Sequence, residues 1–263
     1  MRSLGLSSFW RWALALVLCL TGLLVQRLIS SELPLTVDQE WAGRRIASTL
    51  EQVHVGPGGQ RLSVSGGDAD WTGELIWRPV AGEAAFARMP LRNLGSLITG
   101  EIPAQARGRR AEYRLEIETP AGLLRLPAQG TLVTRFRGAT PLALGLAHIL
   151  LLALGLLLAM RAGLEALALG DHAQRFAWGS FLCVLAGGLV VGPLMKHYAY
   201  GLLWAGPPRG LDSTDSKTLV LALAWLLPLI LRARGRRARR WIVVAALLSL
   251  LAFLVPHSTF GPA

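Results

Sequence analysis

Arg232-Ala233-Arg234-Gly235-Arg236-Arg237-Ala238-Arg239-Arg240 decides how this chain is read, because it joins two segments too apolar to face water. Six of its nine residues are arginine and none is acidic. The positive-inside rule places such a run on the cytoplasmic side of a bacterial-type membrane. Once that turn is placed, the side on which every other segment emerges follows by alternation.

Working outward, the whole chain has the composition of a membrane protein. Of its 263 residues, 52% are hydrophobic and only 16% charged, against about a quarter charged in ordinary soluble domains. The net charge of +11 does not form a nucleic-acid surface. Many basic residues instead sit at the ends of apolar runs, where they report topology. The expected counter-charge to Arg232, Arg234, Arg236, Arg237, Arg239 and Arg240 is therefore anionic lipid headgroup, and no nucleic-acid partner is expected. Two cysteines, Cys19 and Cys183, lie inside apolar runs without CxxC or metal-ligand spacing, so each is expected to act as a small hydrophobe.

The first apolar run, Trp12 to Val25 and on to about Ile29, follows Arg2 and Arg11 and lacks a small-x-small cleavage site. It predicts an uncleaved anchor over 1–33 with its N-terminus inside. Cleavage near Ser30–Ser31 is the alternative. From 34 to 138 the character changes to short alternating segments: Glu74–Arg78, Ala84–Arg88, Glu112–Ile117 and Leu132–Phe136. Turn chemistry separates them at Gly56-Pro57-Gly58-Gly59, Gly66-Gly67-Asp68, Ala106-Arg107-Gly108 and Thr119-Pro120-Ala121-Gly122. The spacing predicts a small antiparallel β-sandwich. The stretches Leu75-Ile-Trp-Arg78, Met89, Gly100-Glu-Ile-Pro103, Ala111-Glu-Tyr-Arg-Leu115 and Pro120-Ala-Gly122 resemble the immunoglobulin/fibronectin-III-like modules of secreted bacterial proteins. That resemblance implies a binding or structural module.

A second membrane block occupies 139–263. Its predicted spans are Pro141–Met160 before Arg161, Phe176–Met195 before Lys196-His197, Thr218–Leu231, and Trp241–Val255, with a polar loop over 196–217. The fourth span of the chain needs Asp215 as its N-cap to reach adequate length. Trp12, Trp178, Trp204 and Trp241 fall near the expected interfaces. With the anchor, the fold class is five transmembrane helices plus an all-β extracytoplasmic immunoglobulin-like sandwich. The N-terminus is inside, and the C-terminus and the β domain are outside a bacterial cytoplasmic (inner) membrane.

This block, read through His148-Ile-Leu, Arg161–Leu167, Gly192-Pro193, Lys196–Gly201, Trp204–Leu219 and Pro256-His257-Ser258, resembles a family of multi-pass bacterial membrane proteins. Members pair a periplasmic Ig-like domain with a helical block. The resemblance implies an architecture and no activity.

Polar side chains gather at the outer end of this block: His197, Trp204, Asp212, Asp215, Lys217 and His257. The chain's only lysines, Lys196 and Lys217, bracket the loop. His148 lies within the second span, where an ionisable side chain needs a partner. Three chemistries are open. A bis-imidazole haem site would use His197 and His257 across an apolar slot; the region is loosely similar to cytochrome c assembly proteins, with far fewer tryptophans and no Trp-Asp-Pro-Lys-Glu core. An interfacial enzyme would use Asp212, Asp215 and His197 as an acid/base cluster, or as a metal site with His257. In a structural role, the aspartates cap the following helix and Lys217 pairs with one of them. No H-E-x-x-H, G-x-S-x-G or phosphate-cradling glycine loop favours catalysis. The expected role is therefore binding or assembly within an envelope or respiratory-type membrane complex, with a membrane or periplasmic protein as partner.

Overall fold

Alternating burial drives the middle of the chain into strands. In Arg110–Thr119 every second side chain is buried, from Ala111 through Ile117, as a half-buried strand requires. The computed structural model describes residues 7–29, 33–81 and 84–255. Within it the chain divides into a β unit and a helical unit.

The β unit has two sheets around one core. The first runs β1 (Leu35–Trp41), β2 (Arg44–Leu50), β4 (Gln60–Ser65), β8 (Leu97–Ile102), β7 (Arg92–Asn93). The second runs β3 (Val53–Val55), β11 (Leu132–Arg137), β9 (Arg110–Thr119), β5 (Thr72–Pro79), β6 (Ala87–Pro90), with β10 (Gly122–Leu126) pairing the C-terminal half of β9. Strands expected at 74–78, 112–117 and 132–136 are present, whereas the one expected at 84–88 begins only at Ala87. All pairings are antiparallel except β3 with β11, which is parallel. Ile46, Leu62, Val64 and Ile98 of the first sheet and Leu75, Leu115, Ile117 and Phe136 of the second share the core.

A polar bridge crosses that core. Thr134 Oγ1 donates to Gln60 Oε1 at 2.5 Å, Gln60 Nε2 donates to the Glu51 carbonyl at 2.9 Å, and the buried Tyr113 hydroxyl donates to the same carbonyl at 3.3 Å. Buried polar groups with partners cost little and fix how the sheets register. Burial pushes the Tyr113 phenol above its ordinary range. At Gly66 (φ +92°) a Cβ would sit 2.0 Å from the Arg45 carbonyl oxygen, so only glycine fits.

The helical unit contains α1 (Ser8–Leu28), α2 (Leu142–Leu167), α3 (Ala173–Val184), α4 (Gly192–Tyr200), α5 (Ser213–Ala233) and α6 (Arg239–Leu254). A π-helical stretch, Leu185–Val191, joins α3 to α4, so Ala173–Tyr200 runs as one helical rod of 28 residues. α2 packs against α1, α3 and α6, and α6 packs against α1 and α5. The segment expected to be a separate anchor is thus part of the bundle.

Small residues make the close approaches. A Cβ on Gly163 would lie 2.8 Å from the Ala246 Cβ, and one on Gly188 would lie 2.5 Å from Thr218 Cγ2. Such contacts are the usual way helices associate in lipid. Cys19 and Cys183 are both free and buried among these helices. Trp225 is fully buried, its indole N–H donating to Ser249 Oγ at 3.0 Å.

The outward faces are apolar too. Val17 and Leu20 of α1, Ile149 and Leu150 of α2, and Val220 and Leu223 of α5 are all more than half exposed. Helices apolar on every side belong in lipid.

Among the described residues, four segments are long and apolar enough to cross a membrane: Ser8–Leu28, Leu142–Leu167, Ala173–Tyr200 and Ser213–Ala233. This corrects the expected five. The last, α6, has 16 residues, about 24 Å of helix against a hydrocarbon core of ~30 Å.

Two boundaries also move. α2 does not end at Arg161 but continues to Leu167, because Arg161 is buried and paired one turn on with Glu165. α5 begins at Ser213 with Asp212 as its cap, three residues before the expected Asp215.

Candidate functional site

The polar loop between α4 and α5 folds around an ion-paired trio that the sequence only half disclosed. Asp212 is the N-cap of α5: its Oδ1 accepts from the backbone N–H of Thr214 at 3.2 Å and of Asp215 at 3.0 Å. Asp215, in the first turn, turns its Oδ2 back to the loop and accepts from the N–H of Ala205 at 2.6 Å and of Gly206 at 3.0 Å. Lys196 of α4 lies between them, Nζ 2.6 Å from Asp212 Oδ1 and 2.7 Å from Asp215 Oδ2. All three side chains are buried.

Two carboxylates and one ammonium leave one negative charge over. The four backbone amides and the positive end of α5 face that charge and help to hold it. Glycine at 206 is required by the approach, since a Cβ there would fall 2.5 Å from the Asp215 Cβ. Trp204 closes the loop by donating its indole N–H to the Pro207 carbonyl at 3.0 Å, and Asp212 N–H donates to the Ala205 carbonyl at 3.2 Å.

The other candidates fall elsewhere. His197, next to Lys196 on α4, is exposed, with its ring 6.2 Å from that of Tyr198. It does not join the aspartates, which corrects the proposed Asp–His cluster: one helical residue is 100° of rotation, so Lys196 and His197 face different ways. Lys217 Nζ donates to the Val255 carbonyl at 2.8 Å, tying the start of α5 to the end of α6. His257, the other half of the expected haem pair, lies outside the described residues. Among the described residues no three His, Cys, Asp or Glu side chains converge as metal ligands.

His148, the seventh residue of α2, has its Nδ1 2.8 Å from the Gly187 carbonyl oxygen. The same oxygen accepts the Gly192 N–H in the π-type pattern. Pro193 has no N–H and cannot continue α-type bonding to the preceding turn. The wider π turn accommodates it, and His148 supplies a second bond to a carbonyl in that stretch.

A second charged cluster escaped the sequence reading, at the opposite end of α2. Glu165 Oε2 accepts from Arg161 Nη1 and from Arg11 Nη1, the latter at 2.5 Å. The Arg161 guanidinium stacks 4.6 Å from the Phe176 ring centre and 5.3 Å from that of Trp12. This joins α1, α2 and α3. The signal available was the i,i+4 spacing of Arg161 and Glu165; nothing in the sequence pointed to Arg11 as the third member.

The six arginines at 232–240 are exposed, and among the described residues none is ion-paired to an acidic side chain. No family model matches this chain, and no curated protein matches it.

Proposed function

We propose that this chain is a multi-pass protein of a bacterial-type cytoplasmic membrane that presents an immunoglobulin-like sandwich outside the cell membrane. Its work there is binding or assembly within a larger envelope or respiratory-type complex. α6 packs its inner face (Ile242, Ala245, Ala246, Ser249) in the bundle while Val244, Leu247 and Leu251 face outward. The N-terminus and the arginine turn are cytoplasmic, and the 196–217 loop lies on the same side as the sandwich.

The observation that carries the non-catalytic reading is how the loop's charges are engaged. Asp212 and Asp215 bind Lys196 and four backbone amides of their own loop and helix. Carboxylates so engaged hold a loop in shape, and a general base needs an oxygen directed at substrate. Function then rests with the module the bundle carries. Sandwiches of this kind act through loops and strand faces.

The test is site-specific photo-crosslinking in native membranes. Probes at the exposed β-unit positions Leu94, Leu123 and Val133 are expected to give discrete adducts that probes at the lipid-facing Leu150 and Leu223 do not. No adduct from any β-unit position would overturn the binding role.

A further inference from the structure

The helical unit contains a cavity of about 520 Å³ between the α2–α3 turn and the α5–α6 turn. Its walls carry Arg232, Arg236, Arg237, Arg239 and Arg240, with Asp171 as the acidic side chain among the lining residues. The formal charge of that lining is +4. Arg234, in the same run, does not line it.

The turn that presents these arginines is built. Gly235 adopts φ +69°, its N–H donates to the Arg232 carbonyl at 3.0 Å, and Arg236 N–H donates to the Leu231 carbonyl at 2.9 Å. This paired bonding is a Schellman stop, which ends α5 in one defined geometry. The chain then passes the buried Ala238 and starts α6 at Arg239.

That start is electrostatically inverted. The first turn of a helix favours acidic side chains, because its free N–H groups carry partial positive charge. α6 has no acid there and opens with Arg239-Arg240. Helix end and guanidiniums therefore repel one another across a cavity, and among the described residues no carboxylate is paired to them. A bound anion relieves the repulsion, and helix N-termini and guanidinium forks both suit phosphate.

We propose that this cavity is a binding site for an anion carrying two phosphoryl groups. Five guanidiniums about a volume of this size exceed what a single phosphate can engage. Two phosphates bridged by a short linker match the charge and let several forks bind in bidentate fashion. The source is either the headgroup of a two-phosphate membrane lipid or a soluble diphosphate. Recognition does not depend on which leaflet the turn faces, so the site stands or falls apart from the orientation proposed above.

The experiment uses the purified full chain in nanodiscs, with binding read by native mass spectrometry and by thermal shift. The probes are diphosphatidylglycerol, phosphatidylglycerol at matched phosphate, and sodium pyrophosphate. The wild-type chain is expected to bind diphosphatidylglycerol or pyrophosphate about tenfold more tightly than phosphatidylglycerol. Arg236→Gln and Arg239→Gln each abolish that preference, while Arg234→Gln, which removes the same charge outside the cavity, leaves it in place. Asp171→Asn strengthens binding. Preference for the lipid alone identifies a headgroup site; binding of pyrophosphate that displaces the lipid identifies a soluble ligand. Equal weakening by Arg234→Gln and Arg236→Gln, or equal affinity per phosphate for all probes, reduces the feature to diffuse surface charge and overturns the proposal. The melting temperature without ligand, expected not to fall in the arginine variants because each removes a repelling charge, separates loss of the site from loss of the fold.

Discussion

Removing the ammonium of Lys196 would leave Asp212 and Asp215 buried against one another with no cation between them. Breaking a buried ion pair from one side costs about 3–5 kcal/mol, so Lys196→Ala is expected to lower the unfolding free energy in detergent by that order. His197→Ala, at an exposed neighbouring position, is expected to leave it within about 0.5 kcal/mol. Denaturant unfolding of the two variants side by side checks both. If His197→Ala were the more damaging, the site would have to be redrawn around the imidazole. The sequence placed Asp212, Asp215 and Lys217 together at the end of the loop, with Lys217 able to pair with either aspartate. Lys196 is the cation bonded to both carboxylates, because the loop folds back and brings the α5 cap to it, and separation along a chain does not measure that. A second residue-scale test lies in the β unit. The Thr131 hydroxyl, and then the Arg78 guanidinium, hold the Glu112 carboxyl below the usual carboxylate range. A depressed acid stabilises the fold above its unfolded pKa, near 4.5. That contribution is lost as pH falls through the lower folded value. Glu112→Gln is expected to flatten the acid limb of a stability–pH curve below about pH 4.5 and to leave the rest of the curve parallel.

At the scale of elements, apolar runs and alternation identified every helix and most of the strands of the second sheet, while ends were misjudged wherever a charge was satisfied inside the fold. Arg161 looked like the end of a span because an unpaired guanidinium belongs at an interface. Paired with Glu165 and stacked on Phe176, it sits within α2. The first sheet went largely unread, since β1, β2 and β4 alternate around polar residues and carry few aromatics. The π turn at Leu185–Val191 had its cause in view, Gly192-Pro193, but its consequence depends on His148 from another helix. The β1–β2 hairpin offers a test of local strain. Ala42 (φ 52°) and Gly43 (φ 73°) form a two-residue turn with both φ positive, a geometry that favours Asn-Gly. Ala42→Asn is expected to stabilise the β unit by about 1 kcal/mol, read as a higher melting temperature; a fall would mean that the turn is not of this type. In the bundle, Gly163→Val would drive a side chain into Ala246 and is expected to cost about 1–3 kcal/mol, seen as loss of the α2–α6 contact in disulfide-trapping experiments.

For the whole molecule, the proposed topology follows from charge asymmetry across a bilayer. In the proposed orientation, the six arginines of the α5–α6 turn mark the cytoplasmic end of the bundle. On that proposal, alternation of crossings makes the loop after α4 extracytoplasmic, and likewise the sandwich between α1 and α2. The loop trio and the arginine cavity lie at opposite ends of α5, so they face opposite compartments whenever that helix crosses. The most direct measurement is labelling of single cysteines by a membrane-impermeant maleimide in intact spheroplasts, on a background with Cys19 and Cys183 replaced. Ala121→Cys in the β9–β10 turn and Leu211→Cys in the loop are expected to label before lysis, and Arg236→Cys only after it. Labelling of Arg236→Cys in sealed cells, with Ala121→Cys protected, would invert the protein and contradict the account.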